Sequence, residues 1–258
     1  MGAVTFSIDP RLIAALNNHL AFDVFVETGT FRGETIDIIM SHFNRIYSVE
    51  LSPHYYENAV RKFADDPNIT IVNADSATAL KAILPEIQDR PAMFWLDAHW
   101  CVADATAGEM SQCPLLAELD AIKQLNDQSM IIIDDARLFL ATPQAPHEIS
   151  NWPTLDAITR ALFRLSSRHQ ICVVNDCILF FPQAIEEQIK QFSYQHGVDW
   201  LDLLNRCRDS EALLIKVSQE NDMLHNLGFW RRIRGLFGYS WRVLNARFRT
   251  PNMISVSE

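Results

Sequence analysis

The stretch Asp23-Val-Phe-Val-Glu-Thr-Gly-Thr-Phe-Arg-Gly33 decides the fold of this chain. Its β-branched and aromatic residues predict a strand over residues 23–27. Gly29 and Gly33 then interrupt the strand pattern, and apolar residues recur at helical spacing over residues 34–43. Strand, glycine turn and helix in this order form the first unit of an α/β sheet.

The same strand and helix unit recurs along the chain. Short apolar runs alternate with longer stretches of helical spacing, which favours a parallel sheet covered by helices on both faces. The predicted strands lie at residues 45–50, 69–73, 92–96 and 130–133, and the predicted helices at 53–64, 76–87, 115–125 and 154–165.

Two further apolar runs, residues 170–174 and 177–181, are joined by Asn175-Asp176. Asn and Asp accept the positive φ of tight hairpin turns, so this segment predicts a β-hairpin. A dinucleotide-binding dehydrogenase would usually continue with parallel crossovers instead. We therefore expect a Rossmann-like α/β sheet, mostly parallel, with a terminal antiparallel hairpin.

The chain beyond this hairpin has only helical patterns. We expect a sheet domain over residues 1–182, a helical extension over 183–227 and a basic aromatic tail over 228–258. Within the extension, four residues spaced by three, four and three fit a short coiled coil and a homo-oligomer, and a helix packed on the domain is the alternative. They are Leu214, Val217, Asn221 and Leu224.

The charge of the chain is unevenly distributed. The formal net charge is -10, and six arginines with no acid lie between Gly228 and Arg249, which leaves about -16 for the rest. A surface this acidic argues against a nucleic-acid partner. Arginines interleaved with aromatic residues in the tail suit peripheral contact with an anionic membrane or an acidic partner.

The five cysteines are odd in number and form no Cys-x-x-Cys pair. Reduced thiols are the simplest interpretation. The first residues do not resemble a signal peptide, and no apolar run is long enough to span a bilayer. We expect a cytoplasmic protein, with the tail as its point of contact with a membrane surface.

Three strand ends predict a site for an adenosyl ligand. The Gly29 to Gly33 turn has the spacing Gly-x-x-x-Gly, which differs from the dinucleotide pattern Gly-x-Gly-x-x-Gly. Glu50 ends the second strand, where an acid accepts hydrogen bonds from ribose hydroxyls. Asp75 and Ser76 follow the third strand, where they are placed to approach an adenine and to cap the next helix.

This constellation resembles the class I S-adenosylmethionine-dependent methyltransferases over residues 20–182. The loop Glu-Thr-Gly-Thr-Phe-Arg-Gly resembles that of the macrocin and mycinamicin type of sugar O-methyltransferase. The resemblance implies that the chain binds S-adenosylmethionine. The residues implied for the cofactor are Glu27, Thr28, Gly29, Thr30, Gly33, Glu50, Asp75, Ser76 and Asp97.

Carboxylates also follow the fourth and fifth strands. Asp97 ends one strand, Asp134 and Asp135 end the next, and adjacent parallel strands bring these ends together. Three converging carboxylates repel one another unless a cation lies among them, and oxygen ligands suit Mg²⁺. The resembled sugar O-methyltransferases carry metal-binding aspartates at these three points, with Asp97 in the catalytic centre. Where they place an acidic base, this sequence has His99, a workable general base.

Two other interpretations of these residues remain open. Asp135 can pair with Arg137 instead of a metal. His99 with Cys101 and Cys113 has a zinc-like composition, but the spacing is irregular and a fourth ligand is not evident.

Two long segments are expected to cover the site, residues 101–112 as a substrate lid and residues 137–152 as a second covering loop. Ordinary connecting loops are the alternative for both. The function predicted from the sequence is metal-assisted O-methylation of a sugar hydroxyl in a glycan or glycosylated metabolite. The alternatives are a metal-independent N- or O-methyltransferase of small molecules and a non-catalytic adaptor that binds a membrane or a partner.

Overall fold

The computed structural model describes residues 2–17, 19–99 and 111–226. The basic aromatic tail and most of the predicted lid, residues 101–110, lie outside the described residues. The chain divides into two compact units, Met1–Val198 and Asp199–Glu258.

Seven strands of the described part form one sheet with the order β3-β2-β1-β4-β5-β7-β6. β7 runs antiparallel to both of its neighbours, and the other pairs are parallel. The predicted fold class, a mostly parallel Rossmann-like α/β sheet with a terminal antiparallel hairpin, is confirmed. The strands are β1 Val24–Thr28, β2 Arg45–Glu50, β3 Ile69–Asn73, β4 Ala92–Leu96, β5 Met130–Ile133, β6 His169–Val174 and β7 Cys177–Pro182.

The strand order fixes where a ligand can bind. β1 pairs with β2 on one side and with β4 on the other, so the direction of winding reverses between β1 and β4. Open α/β sheets bind ligands outside the carboxyl ends of the strands at such a reversal. The loops after β1 and β4 therefore border the expected crevice.

The helices agree with the predicted pattern except at short elements. α1 and α6 were not predicted, and α2 and α5 end earlier than expected. α5 ends because Lys123, at φ 58, turns the chain out of the helix. The helices are α1 Pro10–Asn17, α2 Glu34–Ile39, α3 Pro53–Lys62, α4 Ser76–Ile87, α5 Leu115–Ile122, α6 Arg137–Leu140, α7 Leu155–Leu165, α8 Glu186–His196 and α9 Trp200–Asn226.

Each face of the sheet carries its own apolar core. Alternate residues of β1 point to opposite faces, Val24 and Val26 toward α4, α5 and α7, and Phe25 toward α1, α2, α3 and α8. Burial on both faces explains why the central strands β4 and β5 are apolar throughout. α8 contributes Ile189 and Phe192 to the second core. The sheet-bearing unit therefore extends to Val198, beyond the boundary expected after residue 182.

The hairpin between β6 and β7 has the predicted two-residue turn. Asn175 and Asp176 have φ values of 50° and 70°, the left-handed conformation that such turns require. Asp176 also accepts a hydrogen bond from the backbone N–H of Arg137 at 2.7 Å. The turn is thereby tied to the chain that follows β5.

α9 forms a helix of 27 residues in the second unit. Its described side chains are exposed, including several large apolar ones. No helix of the part that the structure describes is long and apolar enough to cross a membrane.

Candidate active site

Gly29 and Gly33 shape the loop that follows β1, which we call the glycine loop (residues 28–33). Gly29 has a φ of +86°, and a β-carbon there would lie 2.3 Å from the carbonyl oxygen of Asp97. Gly33 has a φ of +69°, and a β-carbon there would lie 2.7 Å from the ring of Phe63. Glycine is the residue that tolerates both a positive φ and such close contacts. Gly29 therefore allows this loop to lie directly against the end of β4.

Glu50, at the end of β2, braces the glycine loop. Its two carboxylate oxygens accept backbone N–H groups, one from Phe31 at 2.8 Å and one from Ser52 at 2.7 Å. These bonds hold Phe31 at a φ of 47°, which is unusual for an aromatic residue. A carboxylate oxygen has two lone pairs, so Glu50 keeps acceptor capacity for the predicted ribose contact.

Glu27 lies behind the loop and is only 1% exposed. Burial raises the pKa of Glu27 to about 8, although hydrogen bonds from Ser48 and Thr35 partly oppose that rise. Thr30 hydrogen-bonds Ser48, with 2.6 Å between the two hydroxyl oxygens. Glu27 and Thr30 are therefore joined through Ser48 in one buried polar network beneath the glycine loop.

Asp75 and Ser76 lie at the start of α4, directly after β3. Asp75 caps the helix, because its carboxylate accepts the N–H of Thr78 at 3.1 Å. Asp75 is exposed and Ser76 is buried. The expected capping role is confirmed for Asp75, whereas contact with a cofactor remains a prediction for both residues.

Glu118 of α5 is a buried acid that the sequence analysis missed. It is 1% exposed, and burial raises its pKa, partly offset by the hydroxyls of Ser76 and Thr28. The signal was present in the sequence, since Glu118 lies at helical spacing between the apolar residues Leu115 and Ile122. A carboxyl group in a buried helical stripe points to a polar role in the interior.

His99 lies between two of the predicted aspartates. Its Nε2 atom is 2.9 Å from a carboxylate oxygen of Asp135, and its Nδ1 atom is 3.5 Å from one of Asp97. Burial lowers the pKa of His99, but the hydrogen bond to Asp135 and the nearby negative charges outweigh it and raise that pKa to about 9. These contacts therefore favour the imidazolium form of His99 at neutral pH.

The three aspartates differ in their electrostatic surroundings. Burial and then the charge of Asp134 raise the pKa of Asp97, although its side chain is 34% exposed and solvent screens part of this effect. Burial and then the charge of Asp135 raise the pKa of Asp134. Burial also acts to raise the pKa of Asp135, but its contacts with His99 and Arg137 have the larger effect, so that this pKa is lowered.

Other side chains of the protein form ion pairs or hydrogen bonds with these carboxylates. Arg137 pairs with both Asp135 and Asp176, so the pairing of Asp135 with Arg137 named as an alternative is confirmed. The thiol of Cys177 donates to Asp134 at 2.9 Å. Across the described residues, no group of three or more His, Cys, Asp or Glu side chains is arranged to hold a metal ion. Cys113 is a buried free thiol, and Cys101 lies outside the described residues.

The segment after β5 covers His99. The ring of Trp152 packs edge-on against His99, with 5.7 Å between ring centroids, and its indole N–H donates to Gln112 at 3.2 Å. The sequence analysis named this segment as a covering loop but did not single out Trp152. Beneath it lies a cavity of about 10 Å³, which suits roughly one water molecule. Its lining includes Leu96, Ala98, His99, Cys113, Glu118 and Phe139.

Comparison with known proteins gives a likeness at the level of the fold. No family model matches the chain, and no curated protein matches it. Similar solved structures include the N-methyltransferase NodS from Bradyrhizobium japonicum WM9, with a TM-score of 0.39, 12% identity and coverage of 67% of this chain and 92% of that one. An S-adenosylmethionine-dependent methyltransferase from Clostridium acetobutylicum has a TM-score of 0.43, 12% identity and coverage of 67% and 91%.

A spermidine synthase from Thermotoga maritima is also similar, with a TM-score of 0.39, 16% identity and coverage of 70% of this chain and 58% of that one. The likeness concerns the fold alone. Proteins of one fold carry out different reactions, so the function has to be argued from the site.

Proposed function

We propose that this chain is an S-adenosylmethionine-dependent methyltransferase that acts on a hydroxyl group. One observation carries the proposal: Gly29 of the glycine loop lies against Asp97, two residues before His99. A donor held by the glycine loop and an acceptor held at His99 are therefore neighbours at one edge of the sheet. Such proximity is what a group transfer between two bound molecules requires.

The described residues of the glycine loop fit an adenosyl cofactor. Gly29 lets the loop lie against the backbone of Asp97, where a side chain would collide, and Glu50 retains lone pairs for hydroxyl donors. When bound, S-adenosylmethionine supplies an activated methyl group on a positively charged sulfur. The protein then has to align the acceptor oxygen with that methyl group and to take up the proton of the hydroxyl.

His99 is the proposed proton acceptor. The carboxylates of Asp97 and Asp135 hold its imidazole in place and favour its protonated form. His99 accepts a proton only in its neutral form, and a bound positive charge near these carboxylates would favour that form by lowering the pKa of His99.

A sugar hydroxyl is the proposed acceptor class. The Arg-Gly ending of the glycine loop supports it through the resemblance to sugar O-methyltransferases, and the carboxylate of Asp97 suits hydrogen bonds from adjacent hydroxyls. Asp97 exposes 34% of its side chain, so it remains accessible to such a molecule.

Assistance by Mg²⁺ is the second candidate, favoured by the raised pKa values of Asp97 and Asp134. A divalent cation would offset the repulsion between these carboxylates, which contributes to their raised pKa values. The arrangement described above does not fit a metal as it stands, because Asp135 is engaged by His99 and Arg137. Thermal unfolding with millimolar Mg²⁺ tests this candidate. A rise in Tm in the native chain that is lost in an Asp134→Asn, Asp135→Asn double variant supports the metal, and equal Tm values with Mg²⁺ and with EDTA reject it.

Calorimetric titration with S-adenosylhomocysteine tests the cofactor. We expect micromolar binding, and no heat at high micromolar ligand would reject the proposed function in favour of a non-catalytic adaptor.

Transfer of radioactive methyl from S-adenosylmethionine to a panel of free and nucleotide-linked sugars tests the acceptor. His99→Gln should lower kcat about 100-fold with unchanged S-adenosylhomocysteine affinity, whereas His42→Gln, on the exposed surface, serves as the control. Transfer only to amines would favour the N-methyltransferase alternative.

A further inference from the structure

We propose that α9 pairs with α9 of a second copy of this chain as a parallel, in-register two-stranded coiled coil. This inference concerns the second compact unit and is independent of the methyltransferase proposal. α9 is a helix of 27 residues, about four heptads and about 40 Å long. A repeat sustained over that length is enough to specify a coiled coil.

The heptad frame starts at Trp200. Positions a and d of a coiled coil face the partner helix and are mostly apolar. In α9, six of these eight positions hold an apolar residue or cysteine, and the other two hold Ser210 and Asn221. The a positions are Trp200, Cys207, Leu214 and Asn221, and the d positions are Leu203, Ser210, Val217 and Leu224.

The described members of this seam are open to solvent in the single chain. Leu214 is 69% exposed, Trp200 is 56% exposed and Val217 is 46% exposed. Burial of a side chain of this kind contributes about 1.5–3 kcal/mol. Leu204 and Leu213, at positions e and g, border the seam and widen this apolar surface. Burial of the surface against a partner helix stabilises the pair.

The charges beside the seam favour a second copy in parallel orientation. In a parallel pair, a residue at position g faces the residue five positions later, at position e of the partner. Arg206 occupies a g position and Glu211 is five residues later, so two opposite-charge contacts related by symmetry form across the pair. An identical helix is thus a complementary partner for α9.

The polar a position also favours this orientation and register. In a parallel, in-register pair Asn221 meets its own copy, and two amides can hydrogen-bond each other. An antiparallel pair sets a positions against d positions, so that an amide would face an apolar side chain and lose a partner. A single Asn at an a position is a known means of fixing register.

Multi-angle light scattering of the full chain, with two matched variants, tests the pairing. Leu214→Asp and Ile215→Asp add the same charge to neighbouring residues that are 69% and 59% exposed, but only Leu214 lies on the seam. We expect twice the 29.5 kDa chain mass for the native chain and for Ile215→Asp, and at least a tenfold weaker dimer for Leu214→Asp. A monomeric native chain at high micromolar concentration, a trimer or larger assembly, or equal loss in both variants would overturn the proposal.

Cys207 provides a second test that does not depend on the solubility of a charged variant. It is an exposed free cysteine at an a position, so a parallel, in-register pair brings the two Cys207 thiols together. Oxidation by copper phenanthroline and oxygen should then give a disulfide-linked dimer on a non-reducing gel. Cys207→Ser should abolish this dimer, and Ala212→Cys in that background, at position f, should not restore it. A native chain that fails to cross-link, or equal cross-linking from position 212, contradicts the parallel register.

Discussion

Gly29 and Asp97 approach so closely that a β-carbon on Gly29 would lie 2.3 Å from the carbonyl oxygen of Asp97. The backbone N–H of Asp97 also donates to the carbonyl oxygen of Thr28 at 3.1 Å. These contacts join the glycine loop to the end of β4. His99 follows β4, and Gly29 follows β1. The position of His99 relative to the glycine loop therefore depends on Gly29.

Gly29→Ala is expected to displace the loop from β4. The substitution adds a side chain at a φ of +86° and creates a collision with backbone, which together cost about 1–3 kcal/mol of folding free energy. Because the collision lies in the proposed cofactor cradle, we also expect at least a tenfold loss of S-adenosylhomocysteine affinity. Denaturant unfolding and calorimetry measure the two effects. Unchanged affinity in a folded variant would show that the cofactor does not lie against this turn.

Asp135→Asn is expected to lower the pKa of His99. In the native chain that pKa is raised to about 9; the hydrogen bond to Asp135 is the largest contribution that raises it, followed by the charge of Asp97 and then that of Asp135. Removing the negative charge disfavours the imidazolium, so the pKa should fall by about one pH unit or more. An NMR titration of the imidazole C–H signals measures it.

The control for this titration is Asp127→Asn. Asp127 pairs with Arg168 on the surface, and its side chain is 56% exposed. This variant should leave the His99 titration where it is in the native chain. If both variants gave the same curve as the native chain, the contact between His99 and Asp135 would not control the protonation of His99.

Glu27→Gln is expected to stabilise the protein increasingly as the pH rises. The folded-state pKa of Glu27 is about 8 and its ordinary value is 4.5. Between those values the folded chain retains a proton that the unfolded chain has released, so the native free energy of unfolding falls as pH rises through this window. Glutamine does not titrate and is free of this loss.

Chemical denaturation at about pH 5 and about pH 8 measures the difference between Glu27→Gln and the native chain. Between these two pH values, the difference in the free energy of unfolding should change by about 3 kcal/mol in favour of Glu27→Gln. Glu57→Gln on the exposed face of α3 removes an acid that is not buried and is the matched control. A pH-independent difference for Glu27→Gln would mean that Glu27 is ionised in the folded protein.

The sheet was predictable because its strands end at strong local signals. β3, β4 and β5 have the predicted bounds, and the Asn175-Asp176 turn has the predicted positive φ values. α1 was missed because a helix of eight residues gives few repeats of its apolar pattern. The end of α5 was missed because Lys123 adopts a positive φ without the glycine or asparagine that usually marks such a position.

The site was predictable only in part, since strand order reveals which residues share an edge but not how they pair. The aspartates after β4 and β5 were expected to surround a cation, and His99 and Arg137 supply positive charge there. Glu118 and Trp152 reach the site through tertiary packing of α5 and of the segment after β5. The helical spacing of Glu118 signals a buried acid, but no local spacing rule reports the packing that brings Glu118 and Trp152 to the site.

Trp152 provides the last prediction, because it is the apolar cover of His99. Trp152→Ala removes a ring that packs against His99 and Phe139, at centroid distances of 5.7 Å and 5.6 Å. Truncation of a buried Trp costs about 3–5 kcal/mol. Opening the cover should also shift the pKa of His99, because water relieves the burial that lowers this pKa and screens the carboxylates that raise it. Trp152→Phe keeps most of the packing and loses the hydrogen bond to Gln112, so it should cost less.

Tyr194→Ala is the matched control, since Tyr194 is an aromatic residue of α8 that is 88% exposed. It should leave both the unfolding of the sheet-bearing unit and the His99 titration unchanged. Denaturant unfolding and the NMR titration of His99 measure the two effects for all three variants. If Trp152→Ala destabilised the protein without moving the His99 titration, Trp152 would support the fold alone, because a cover that excludes water must alter the protonation of the group beneath it.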